Sequence, residues 1–324
     1  MSDYIKKDGQ KKIDFAVGGQ ALIEGVMMRS PNFITAAVRK TKGDIKMKEE
    51  NFMSIGRRVR FFGVPLVRGV VNLVEMMIIG MKMLNYSAKE SLDEEEDLEE
   101  TATAGQKLFI AASFALSIVV ALALSLFLFK FLPLWITDWM SGIFPLLDNN
   151  YLVFNLVDGV LKTIFFIVYI AVIGLFPSLK RVFEYHGAEH KSIYAYEKGL
   201  DLTPENAAKQ TRFHPRCGTS FILIVFLISI FVYTFVPRQE EFMMNFGLRV
   251  LFLPLIAGIS YEFLKYSAKK QENAFMRALV TPGLWFQRLT TKEPDLKQLE
   301  VALSALRQAL ALEEKATQKT PDVP

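Results

Sequence analysis

The chain has 324 residues, enough for one large or two ordinary domains, but 51% apolar content, 27 Phe and a mean hydropathy of +0.25 point away from a pair of soluble ones. A net charge of +4 and a pI near 8.9 would suggest nucleic acid only if the basic residues formed a stripe; they sit beside apolar runs, so a membrane surface is the better partner. The one cysteine, Cys217, excludes an internal disulfide and fits a reducing environment.

In chain order, Met1 to Asp14 is polar and no apolar run follows it, so no cleavable signal peptide is expected. Ala16 to Phe52 has strand-like features: a break at Gly18-Gly19, then Ile34 to Arg39 and Asp44 to Lys48 joined by a hairpin turn at Thr41-Lys42-Gly43. Glu24 and Arg29 are expected on exposed strand positions in a supporting role. Phe61 to Leu84 is mostly apolar but carries Arg68, Asn72, Glu75 and Lys82, which predicts an interfacial or re-entrant helix in preference to a fifth span. The acidic run Ser91 to Glu100 reads as a solvated linker.

Four membrane spans are expected. Lys107 to Pro133 contains a long, nearly uninterrupted apolar run, enough helix for a hydrocarbon core of roughly 30 Å. Tyr151 to Pro177 follows, carrying Asp158 and Lys162 at i,i+4 spacing, which is the pattern of an internal ion pair. Thr219 to Val236 is the third, and Phe246 to Leu264 the fourth, with Arg249 and Glu262 near its ends. The loops 134–150 and 237–245 hold no basic residue and one, Arg238, respectively. The segment between spans two and three holds Lys180, Arg181, Lys191, Lys198, Lys209, Arg212 and Arg216. Positive charge marks the cytosolic side, so both termini are expected in the cytosol of a multi-pass protein of the inner (cytoplasmic) membrane. Beyond Pro294, Leu296, Leu299, Leu303, Leu306 and Leu310 follow a 3-4-3-4 spacing. That predicts an amphipathic helix over 295–313 which packs on the body or pairs with a second copy or a protein partner.

The expected fold is therefore mainly α: a polytopic membrane protein with about four transmembrane helices and a small N-terminal β-containing cytosolic subdomain. Its serial order is subdomain 1–60, interfacial or re-entrant helix 61–90, acidic linker 91–106, bundle 107–265 with a cytosolic loop 178–218, and tail 266–324.

All three histidines and the cysteine fall between His186 and Cys217. His186-Gly187-Ala188-Glu189-His190 is an H-x-x-E-H pattern whose histidines share a helix face one turn apart and can grip one divalent cation, zinc best suiting such ligands. His214 and Cys217 supply further ligands if the loop folds back, and Glu262 is an alternative third ligand from a later helix. Glu189 is the candidate general base. Four His and Cys ligands would close the site and make it structural; catalysis requires an open position. The residues thus admit a metal-dependent hydrolase, a transporter or channel using Asp158, Lys162, Arg249 and Glu262, or a non-catalytic membrane scaffold.

GGQALIEGVMMRSP, EYHGAEHKSIYAYE, HPRCGTSF and the TPGLWFQRLTTKEPD…LEVALSAL tail together resemble the YqhQ-like family of bacterial membrane proteins, over about Asp14 to Ala311. That family has no established function and is labelled as predicted metal-dependent enzymes. The resemblance implies marked positions at Glu24, Arg29, His186, Glu189, His190, His214, Cys217, Gly218 and Thr290 to Pro294, and it names no substrate.

Overall fold

The computed structural model describes residues 17–92, 103–215, 217–269 and 273–319. The N-terminal strands β1 (Gly18–Leu22), β2 (Gly25–Arg29), β3 (Phe33–Arg39) and β4 (Ile45–Asn51) form an antiparallel meander in sequence order. Thr41-Lys42-Gly43 makes the expected β3–β4 hairpin, with Gly43 at φ 95. Gly18-Gly19 lies inside β1, contrary to the break expected there. The β1–β2 turn is instead at Ile23-Glu24, where Glu24 takes φ 51.

Short helix α1 (Ile55–Arg58) and a 3-10 turn (Arg60–Gly63) precede α2 (Val67–Ser91). The chain continues through α3 (Ala104–Leu126), a π-helical segment (Phe127–Phe131), α4 (Leu132–Ser141) and α5 (Pro145–Asn149). Then come α6 (Tyr151–Ile173), α7 (Pro177–Glu197), α8 (Pro204–Ala208) and α9 (Gly218–Tyr233). The last four are α10 (Phe242–Leu251), α11 (Leu253–Lys269), α12 (Ala274–Thr290) and α13 (Leu296–Lys319). Most of the acidic linker, residues 93–100, lies outside the described residues.

Contacts divide the chain into two compact units that interleave in sequence, where the sequence reading divides it serially. The first unit takes Met1–Glu94, Ile173–Cys217 and Leu284–Pro324. Strand alternation gives its sheet two apolar faces. Leu22, Met27, Ile34 and Ala36 pack with Met83, Met76 and Ile79 of α2. Val26, Met28 and Ala37 face the other way, onto Tyr185 and Ala188 of α7 and Leu299, Leu303 and Leu306 of α13. Helices on both faces therefore enclose the sheet between two apolar clusters, each fully buried large side chain contributing about 1.5–3 kcal/mol. The leucine face that the sequence offers to a partner is covered by this sheet; only Leu296 of the five is exposed.

The second unit takes Glu95–Val172 and Gly218–Gly283. Two helical stretches, Leu108–Ser141 and Tyr151–Ile173, are long and apolar enough to cross a membrane, and α10 with α11 makes a third if that pair, bent by 40°, is one span. The bend follows from Pro254 in the first turn of α11, which supplies no N–H to continue the α10 ladder. The expected third span is the apolar α9, only 16 residues long. Leu108, Phe109, Leu116 and Val119 stand exposed along α3, a surface suited to lipid rather than water. The chain is thus mainly helical with a small four-stranded antiparallel sheet and two or three candidate spans.

Candidate metal centre

Pro177 opens α7 as a helix separate from α6, and its inward face carries Tyr185, Ala188, Glu189 and His190. His186 and His190 meet edge to face one turn apart, with ring centroids 4.4 Å apart. The loop after α8 returns Cys217 to them, so that one donor atom from each of His186, His190 and Cys217 lies within 4.8 Å of the others. His186 Nε2 is 3.1 Å from Cys217 Sγ.

The tautomers follow from the partners of the other ring nitrogens. His186 Nδ1 lies 2.8 Å from the Thr290 carbonyl, and His190 Nδ1 lies 2.5 Å from the Arg212 carbonyl. A carbonyl only accepts, so each Nδ1 carries the hydrogen and each Nε2 presents a lone pair. His190 Nε2 is buried and has no hydrogen-bond partner. Two imidazoles oriented through Nδ1–H onto backbone carbonyls, with both Nε2 atoms and a thiol converging, form a donor set that fits a divalent ion. Ligand distances of about 2.0–2.3 Å place tetrahedral ligands roughly 3.3–3.8 Å apart, within the span observed.

The carbonyls are themselves fixed. Thr290 ends α12, and the following segment lies along α7, where the Lys292 N–H donates to the Phe183 carbonyl at 2.8 Å. Gly187 permits this approach: a Cβ there would stand 2.1 Å from the Lys292 carbonyl oxygen. Lys191 and Arg212 hold Glu293 at 2.8 and 3.4 Å, and Arg212 also donates to the Thr291 carbonyl.

His214 is buried, its ring centroid 5.6 Å from that of His190 and its Nε2 3.4 Å from the Glu197 carboxylate. It lies beside the three-donor group without being one of its members. Gln287 of α12, fully buried, clamps the His214 peptide, accepting from its N–H and donating to its carbonyl, both at 2.7 Å. Glu189 is buried against β1, where Gly19 leaves room: a Cβ on Gly19 would meet Glu189 Cγ at 2.8 Å.

Burial sets the electrostatics. It pushes the Glu189 carboxyl above the usual carboxylate range, against the opposing pull of His186, His214 and the Gly19 N–H. It lowers the His190 pKa, with Cys217 pulling the other way, and lowers that of His214 to about 4, against Glu189.

The remaining candidates lie elsewhere. Glu24, at the β1–β2 turn rather than on a strand, pairs with Arg181 and accepts from Tyr185 Oη at 3.3 Å. Arg29 ends β2 half-buried, its guanidinium 4.2 Å from the Phe52 ring centre. Glu262 stands on α11 and Asp158 on α6, both in the second unit.

Residues 64–312 match the family described as "Protein of unknown function (DUF1385)". The chain belongs to this family. A curated relative, the "Uncharacterized protein YqhQ" of Bacillus subtilis (strain 168), is 35% identical over 310 residues, covering 93% of this chain and 94% of the relative. No solved structure matches. The DUF1385 match takes in His186, His190, Cys217, Gln287 and Thr290 and begins after the sheet; the alignment with the relative covers nearly the whole chain.

Sequence reasoning misses Gln287 and the two orienting carbonyls. A carbonyl has no residue-type signature, and Gln287 lies in an apolar helix far along the chain from its partner. Thr290 is marked only by the family resemblance.

Proposed function

We propose that this DUF1385 protein is a multi-pass membrane protein with a divalent metal, zinc by donor chemistry, held by His186, His190 and Cys217 on the cytosolic side, and that it is a metal-dependent hydrolase. The observation that carries the reading is the pair of Nδ1–H contacts to backbone carbonyls, which leaves both Nε2 lone pairs directed at the Cys217 thiol. Four crossings, counting α9 and the bent α10–α11 pair, agree with the basic residues gathered in the segment between α6 and α9.

Three protein ligands leave a coordination position open, as hydrolytic sites require. The bound cation would supply Lewis acidity toward a substrate carbonyl or phosphoryl oxygen. Glu189 accepts the proton of the attacking water and returns it to the leaving group, while Gly19 keeps its carboxylate in place. Gln287 fixes the His214 backbone, and His214 lies beside the ligands as a hydrogen-bonding partner for substrate.

The test is the metal content of the detergent-purified chain by mass spectrometry, beside His190→Ala purified identically. About one zinc per chain in the first, lost in the second, is expected, with Cys217 alkylated readily only after chelation. Equal metal in both, or none in either, would overturn the site.

A further inference from the structure

The second unit buries its own polar cluster. Asp158 and Lys162 pair one turn apart on α6, and Arg249 of α10 binds the same carboxylate oxygen. Arg249 also donates to Asn155, whose Nδ2 donates to the Tyr233 carbonyl at 2.6 Å, while Tyr233 Oη donates to the Arg249 carbonyl at 2.7 Å. Arg249, Lys162 and Lys130 approach the Tyr233 ring centre at 4.8, 5.4 and 5.6 Å. Lys130 has no carboxylate within ion-pair distance among the described residues, so three cations face one carboxylate. Asp158 Oδ1 and Arg249 Nε are buried with no hydrogen-bond partner.

Two irregularities meet here. Lys130 lies in the π-helical segment, and Arg249 sits in the last turn of α10 before the bend. Wide turns and broken helices recur where membrane proteins bind ligands, because both open backbone and side chains toward a cavity. The apolar run Leu108 to Phe129 ahead of Lys130 is roughly 33 Å long at about 1.5 Å per residue, close to a hydrocarbon thickness of about 30 Å. On the reading of α3 and α6 as spans, Lys130 therefore reaches headgroup level at the far side of the bilayer from where α3 begins.

We propose that Lys130 and Arg249, in the field of Lys162, bind a phosphate-type oxyanion at that interface, carried by a phospholipid headgroup or by free phosphate. An uncompensated surplus of cations in a low-dielectric site is costly, and an oxyanion removes it. The Arg249 fork, held in place by Asp158 and Asn155, keeps a donor available at Nε, and half-buried Lys130 supplies the second cation.

The experiment uses the full chain in detergent. Native mass spectrometry reads retained phospholipid, and thermal unfolding is followed against added phosphatidylglycerol, inorganic phosphate and, at matched ionic strength, chloride. Lys130→Gln is expected to weaken the oxyanion-dependent stabilisation at least tenfold, and Lys130→Arg to keep it. Retained phospholipid or a phosphatidylglycerol effect, lost in Lys130→Gln, assigns the headgroup; an effect of phosphate alone assigns the free anion. Wild-type protein with neither retained lipid nor stabilisation beyond chloride overturns the proposal even if Lys130→Gln does not fold. Failure of the membrane reading is separate: the chain would then purify monodisperse without detergent.

Discussion

The two units each bury a polar cluster, and they hold it by opposite means. Around His186 and His190 the anchors are neutral backbone carbonyls, which fix the rings through Nδ1 and leave their Nε2 atoms on the side of Cys217. Around Asp158 the anchors are charges, and Lys162 and Arg249 both hold the same carboxylate oxygen. Neutral anchoring preserves the chemistry of what it holds. Charge anchoring makes the cluster depend on every member.

Three measurements sharpen that contrast. Asp158→Ala leaves two buried cations without their carboxylate and is expected to cost roughly 3–5 kcal/mol, read as loss of folded, monodisperse protein in detergent. A milder Asp158→Asn loss of under 1 kcal/mol would show that the charge is not the anchor.

Next comes pH. Burial holds His214 neutral, lowering its pKa from 6.5 to about 4. Below about pH 6.5 the unfolded chain takes up a proton that the fold refuses. The His214 contribution therefore destabilises progressively as pH falls from 6.5 to 4 and vanishes above that window, by ~3 kcal/mol at most. Unfolding of chelated protein at pH 7.5 and 5, beside His214→Asn, checks it: the variant should lose less stability on acidification.

The smallest effect belongs to the exposed Glu24–Arg181 pair, where solvent screens the charges. Arg181→Ala should shift stability by less than about 1 kcal/mol in the same assay.

Much of this was legible in the residues. The H-x-x-E-H spacing places two imidazoles on one helix face, and they meet edge to face at 4.4 Å. Thr41-Lys42-Gly43 announces its hairpin because Gly43 supplies the positive φ; the β1–β2 turn is hidden because Glu24, a residue with no such preference, takes φ 51 and Gly25 follows it. The apolar run of α9 predicts a span, yet the helix is short because Phe235, Val236 and Pro237 leave it at one end and Cys217 precedes it at the other. The leucines of α13 predict a helix and its buried face but not the strands that cover it. What composition cannot carry is the meeting of distant backbone, such as Gly187 against Lys292, since only the folded path brings them together.

That path sets a timetable for biosynthesis. Ser30 and Asn32, beside the sheet, are held by Glu313 of α13, and the Ser30–Glu313 bond spans 283 residues of chain. At about 5–20 residues per second, roughly 15–60 s separate synthesis of the sheet from that of the helix that covers its second face. During that interval Val26, Met28 and Ala37 lack α13 and the His186 anchor at Thr290 has not yet been made. The nascent sheet is thus an aggregation-prone client, and a chain interrupted before residue 290 would carry its histidines without the contact that orients His186.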